Sequence, residues 1–172
     1  ATVQIISGAT VDISVTLQGD ARPDSGWVVP VTVKFFSPPG ANVLTAAPVR
    51  ELRLTTTKSG ASGVCHATGV KPGIYDVTIV SEHTLLNVKR NVTISAPNTL
   101  LVLGTLLEGD ANNDHAVNIS DVGMLAVAYN KLAGQPGYDA RADFDRNGIV
   151  NIADFGLLAV NLTRTSPVEV TP

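Results

Sequence analysis

The 172-residue sequence predicts a mainly β N-terminal sandwich with Greek-key connections, followed by a small α module built from a duplicated loop–helix unit. Three observations predict it. Residues 10–107 alternate apolar and polar side chains with period two, in short runs broken by Gly, Pro and Asn. From residue 108 the alternation stops and the charge changes sign: eight Lys and Arg stand against six Asp and Glu before that point, and four against nine after it. Within the acidic part, the segment that starts at Asp110 recurs from Asp143.

The strand runs are 10–17, 29–35, 49–57, 74–80, 86–94 and 100–107. Val and Thr dominate them, and a branched Cβ suits the pleated backbone better than a helix. Turn residues separate the runs at 22–26, 37–40, 58–60, 71–73 and 96–98. Seven or eight short strands at this spacing suit two packed sheets. Trp27, Phe35, Phe36 and Tyr75 read as core, with a sugar-stacking platform as the alternative. Cys65 is the sole cysteine, which rules out a disulfide within the chain and a Cys-based zinc cluster; it reads as a buried apolar residue. The division expected is 1–107 for the sandwich and 108–172 for the α module.

The stretch Gly69-Val-Lys-Pro-Gly-Ile-Tyr-Asp-Val-Thr78 resembles the turn-and-strand signature of bacterial sandwich domains of the carboxypeptidase regulatory, transthyretin-like and CnaB types. That resemblance implies a spacer, stalk or adhesive role. In a CnaB-like context Lys34 lies where an isopeptide bond to an Asn forms; with no evident partner, an ordinary surface lysine is the other reading.

The repeat carries the chemistry. Asp110-Ala-Asn-Asn-Asp-His-Ala-Val-Asn-Ile-Ser-Asp121 aligns with Asp143-Phe-Asp-Arg-Asn-Gly-Ile-Val-Asn-Ile-Ala-Asp154. Calcium takes six to eight oxygens around a sharp turn, drawn from loop positions 1, 3, 5, 7 and 12. The first loop offers Asp110, Asn112, Asp114, the carbonyl of Ala116, and Asp121; the second offers Asp143, Asp145, Asn147, the carbonyl of Ile149, and Asp154. Position 6 needs an unusual backbone, supplied by Gly148 in the second loop and held by His115 in the first. Two calcium ions are therefore expected, and folding of this part is expected to depend on them, because the clustered carboxylates repel one another without a cation. Each loop runs into a short helix with an apolar stripe: Val122, Leu125, Ala126, Tyr129 and Leu132 in the first, Phe155, Leu158, Ala159 and Leu162 in the second. Gln135-Pro-Gly137 breaks any helix that would lead into the second loop.

Duplicated loop–helix units closing with Asp at position 12 resemble the type I dockerin family over about residues 108–164. The resemblance implies docking onto a cohesin, with recognition at loop positions 10 and 11, here Ile119 and Ser120, then Ile152 and Ala153. Type I dockerins commonly carry a hydroxyl pair there; this chain keeps only that of Ser120.

Other functions are excluded by what is missing. Neither His-Glu-x-x-His nor Gly-x-Ser-x-Gly occurs, and His66, His83 and His115 stand apart in sequence, so no enzymatic activity is expected. The net charge of -3 argues against a nucleic-acid partner, and no apolar run reaches the ~18 residues of a membrane span. Asn91, Asn118 and Asn161 match glycosylation sequons. The start at Ala1 is read as the mature end of a secreted chain, extracellular or at the cell surface. Two readings follow. The leading one is a non-enzymatic structural subunit that polymerises with copies of itself into a calcium-stabilised filament, residues 2–6 adding a strand to a neighbour's sheet. The alternative is a module that docks onto a cohesin scaffold, with the sandwich as spacer.

Overall fold

The computed structural model describes residues 8–19 and 22–171. The segment 2–6, expected to pair with a neighbour's sheet, lies outside the described residues. The elements are β1 (Ala9–Leu17), β2 (Pro30–Phe36), β3 (Arg50–Thr55), β4 (Thr57–Ser59), β5 (Ser62–Val70), β6 (Gly73–Val80), β7 (Asn87–Ile94), β8 (Asn98–Leu106), α1 (Ile119–Ala128), α2 (Ile152–Asn161) and β9 (Val168–Glu169). One sheet has the order β4-β5-β1-β8 and the other β3-β2-β6-β7-β9. The chain passes from sheet to sheet after β1, β3, β5, β7 and β8, so the expected sandwich is the observed one.

Period-two alternation places one face of every long strand inward. Val11, Ile13 and Val15 of β1, Val31, Val33 and Phe35 of β2, Val77 and Ile79 of β6, and Leu101 and Leu103 of β8 are buried in a single cluster. Each contributes ~1.5–3 kcal/mol by leaving water. The four aromatics read as core are all buried, and Phe35 meets Tyr75 edge to face at 5.8 Å. Cys65 is buried too, and burial pushes its thiol up to about 11. Lys34 faces Glu51 across the β2–β3 pair at 3.6 Å, as an ordinary surface lysine does.

Three strands were not expected: β4, which lies where a turn was read at 58–60, β5 and β9. β5 contains Gly63 and Gly69, which lower its strand propensity, yet it forms a hairpin with β4 and pairs with β1. β9 is two residues long and exists because the C-terminal segment returns to lie parallel to β7.

The helices bury a second cluster: Leu125 and Ala128 of α1, Leu158 of α2, Ala111, Val117, Phe144 and Val150 from the loops, and Leu85 from the segment before β7. The apolar stripes predicted for the helices are mostly exposed. Of those nine residues only Leu125 and Leu158 are fully buried, with Val122 half-buried; Ala126, Tyr129, Leu132, Phe155, Ala159 and Leu162 are exposed. Each helix is ten residues long, and its inner face is fixed by the aspartate that turns back into the loop. That phase points Asp121, Leu125 and Ala128 inward in α1, and Asp154, Leu158 and Asn161 in α2.

Candidate metal centre

Each helix begins with a reciprocal cap. Asn118 accepts a hydrogen bond from the Ser120 N–H at 2.8 Å, while Asp121 accepts from the Asn118 N–H at 2.8 Å. In the second copy Asn151 accepts from the Ala153 N–H at 2.7 Å and Asp154 from the Asn151 N–H at 2.9 Å. Each closing aspartate therefore satisfies an orphan helix-end donor and also closes its loop.

Main-chain donors gather the remaining carboxylates. Asp110 accepts from the N–H groups of Asp114 and His115, both at 3.0 Å; Asp143 accepts from Asn147 at 3.1 Å and Gly148 at 2.9 Å. The sharp turns sit at matching places. Asn113 and His115 have φ of 58° and 72°, and their counterparts Arg146 and Gly148 have 57° and 88°. His115 thus takes the left-handed backbone that Gly148 adopts without a steric cost.

The two loops interlock. Val117 donates to Arg164 O and accepts from the Thr163 N–H, so the first loop pairs with the chain that leaves α2. Val150 donates to Lys131 O and accepts from the Asn130 N–H, so the second loop pairs with the chain that leaves α1. Each loop is braced by the chain that leaves the other loop's helix.

Of the ten residues expected to hold metal, the structure brings Asp143, Asp145 and Asp154 together with oxygens within 4.8 Å of one another, all buried. Burial pushes Asp154 up to about 6, and the nearby charges of Asp145 and Asp143 add to that, against the N–H bonds of Asn151 and Asp145. Asp145 and Asp110 are raised too, chiefly by burial. In the first loop Asp110 and Asp121 are buried while Asn112 and Asp114 face solvent. The Asn112 side-chain amide, foremost, holds Asp114 below the usual carboxylate range. The donor set is all oxygen, carboxylate and amide, which suits a hard cation such as calcium and not zinc or copper.

Several residues of the site were missed in the sequence. Tyr138 donates to Asp143 Oδ2 at 2.7 Å. Arg22, from the turn after β1, reaches Glu108 Oε1 and the Phe144 carbonyl, each at 2.7 Å. His83 Nδ1 lies 2.5 Å from Glu108 Oε2, so this histidine is not isolated in space. Asn161, a sequon residue, is buried with its amide donated to Gln18 Oε1 and to Glu108 O, both at 2.7 Å, and offers no attachment point for a glycan.

Comparison with known proteins assigns the C-terminal segment: residues 108–163 match the family model of the dockerin type I domain. Dockerin domains bind calcium and are non-catalytic binding modules. Two crystal structures of type II cohesin–X–dockerin complexes from Acetivibrio cellulolyticus share the fold. The C-terminal interface mutant superposes with a TM-score of 0.68 at 19% identity, covering 92% of this chain and 98% of that one. The N-terminal interface mutant gives 0.65 at 18% identity over the same shares. A type II cohesin–dockerin domain from Bacteroides cellolosolvens is 30% identical over 35% of this chain and 90% of its own, with a TM-score of 0.30. No curated protein matches the chain. Neither the comparisons nor the structure identifies the sandwich as carboxypeptidase regulatory, transthyretin-like or CnaB-like.

Proposed function

We propose that this chain is a calcium-dependent docking module that binds a cohesin outside the cell. In this reading residues 1–107 form a spacer and residues 108–172 the docking part. Calcium is held twice, by Asp110, Asn112, Asp114, the Ala116 carbonyl and Asp121, and by Asp143, Asp145, Asn147, the Ile149 carbonyl and Asp154. The cations neutralise buried carboxylates and fix the two helices, and the helices carry the recognition surface.

The observation that carries this reading is the outer face of the helices. Ile119, Gly123 and Val127 line one side of α1, and Ile152, Gly156 and Val160 the same side of α2. The four large side chains are exposed, and a Cβ built on either glycine meets nothing within 4 Å. A glycine inside a helix costs ~0.5–1 kcal/mol relative to alanine, and nothing among the described residues packs there to recover that cost. A partner surface that lies close against the backbone does. Apolar side chains beside the glycines, in place of a hydroxyl pair, suit an apolar patch on the cohesin.

Self-assembly into a filament is less well supported. Its pairing segment falls outside the described residues, and the similar structures are complexes of a cohesin with an X–dockerin chain. Among the described residues no helix is long and apolar enough to cross a membrane. Size-exclusion chromatography of the chain with purified type I and type II cohesins, in millimolar calcium and then in chelator, tests the proposal. A calcium-dependent shift to a one-to-one complex with either cohesin supports it. Failure to bind either one, with concentration-dependent growth of the chain alone, favours the filament.

A further inference from the structure

We infer that Arg22 is a positioning residue for the second calcium loop, and that through it the sandwich sets the calcium affinity of that loop while leaving the first largely independent. This rests on the calcium reading above.

The repeat is not symmetric, and its departures cluster in space. Where the first copy has Ala111, Asn112 and Ala128, the second has Phe144, Asp145 and Asn161. All three replacements face the sandwich. The Phe144 carbonyl accepts from Arg22 Nη2 at 2.7 Å, and its ring meets His83 edge to face at 5.5 Å. Asp145 is fully buried against two sandwich-side glycines: a Cβ on Gly19 would come within 2.9 Å of the Asp145 Cβ, and one on Gly26 within 3.2 Å of its carbonyl oxygen. Asn161 donates to Gln18 and to the Glu108 carbonyl.

Arg22 is the centre of this contact. Its side chain is wholly buried and makes five hydrogen bonds: two to Gln18 O, one to Gly26 O, one to Glu108 Oε1 and one to Phe144 O. A guanidinium so completely bonded has one geometry. It fixes the carbonyl that lies between Asp143 and Asp145, two expected ligands of the second loop. The first loop meets the sandwich through its main chain: the N–H groups of Gly109 and Asp110 donate to His83 O, and His115 O accepts from Ser166 in the C-terminal segment. Its Asn112 is exposed and bonds within the loop, to Asp114, not to the sandwich. Linkage is reciprocal, so calcium in the second loop must in turn tighten the Arg22 junction.

The test is calorimetric calcium titration of the full chain carrying Arg22→Met together with Glu108→Gln, which avoids leaving a buried carboxylate without its guanidinium partner. One of the two binding events is expected to weaken at least tenfold and the other to stay within twofold. Adding Asp121→Ala, which removes the first site, assigns the weakened event to the second loop. Both events unchanged, or both weakened alike in a folded chain, overturns the inference. If the variant does not fold, amide hydrogen exchange on the unaltered chain decides. Calcium is expected to slow exchange at Arg22 and Gly26, and Asp154→Ala, not Asp121→Ala, to abolish that protection; equal exchange with and without calcium overturns it. An unaltered chain that binds no calcium at all overturns the proposed function itself, a result distinct from loss of selectivity.

Discussion

Ile119 and Ile152 occupy the same place in the two copies of the repeat, the first turn of a helix, and are 78% and 69% exposed. Each follows an asparagine cap whose side chain is committed to the main chain, and among the described residues neither isoleucine packs into a core cluster. Replacing both with Asp is expected to weaken cohesin binding by about 2 kcal/mol or more, roughly 30-fold. Unfolding free energy should change by less than ~0.5 kcal/mol, because the positions are solvated. Calorimetric binding and thermal melts on the same variant read the two effects separately.

Gly123 and Gly156 give a prediction of opposite sign in the two assays. Ala at either position relieves the helix cost and meets no neighbour, so the free chain should gain ~0.5–1 kcal/mol. The added methyl lies on the proposed docking face, so cohesin affinity should fall. Affinity that rises along with stability would count against close backbone approach.

Calcium removal separates the two sites. Asp121→Ala and Asp154→Ala should each reduce the bound calcium from two ions to one. Asp154→Ala should also be the more disruptive, since it leaves the N–H groups of Asn151, Phe144 and Asp145 without their acceptor in a buried region. At a free calcium level a hundred times the dissociation constant, each occupied site adds about 2.7 kcal/mol to the folded state. Melting in calcium and in chelator measures the loss. Variants that keep wild-type calcium binding and melting would show the loop assignment to be wrong.

The acid limb of the stability curve has a source inside the sandwich. Burial alone would raise the pKa of Asp76, but the N–H groups of Gly40 and Asn91 and the Arg90 guanidinium outweigh it and hold the carboxyl below its ordinary 3.8. A lowered pKa in the folded state means this contribution is complete above 3.8 and is lost as pH falls through the folded value. Asp76→Asn should therefore cost about 2 kcal/mol at neutral pH, with the difference from wild type shrinking below pH ~4. Thermal melts of both chains from pH 7 downward check this.

Much of this architecture is legible in the chain. Short-range pattern gives six of the strands, the repeat, the loop positions and the turn at His115 and Gly148, because each depends on residues a few places apart. The stripe of Phe155, Ala159 and Leu162 was legible as apolar but not as exposed. Periodicity shows which face of a helix is apolar, not whether anything covers it. The junction was hidden for a different reason: Arg22, His83 and Glu108 lie far apart in sequence and meet only once both parts have folded. One signal was available in principle. A buried helix position that is Ala128 in one copy and Asn161 in the other departs from an otherwise close repeat, and such a departure marks a face that meets something different.

Calorimetric titration of purified type I and type II cohesins with the full chain, in calcium and in chelator, using wild type and the Ile119→Asp, Ile152→Asp double variant, decides whether the outer helix faces dock. Tight one-to-one binding to one cohesin class is expected in calcium and none in chelator, with binding at least 30-fold weaker for the double variant at unchanged calcium stoichiometry. Binding that persists in chelator, or that ignores both isoleucines, would contradict calcium-dependent docking through these faces.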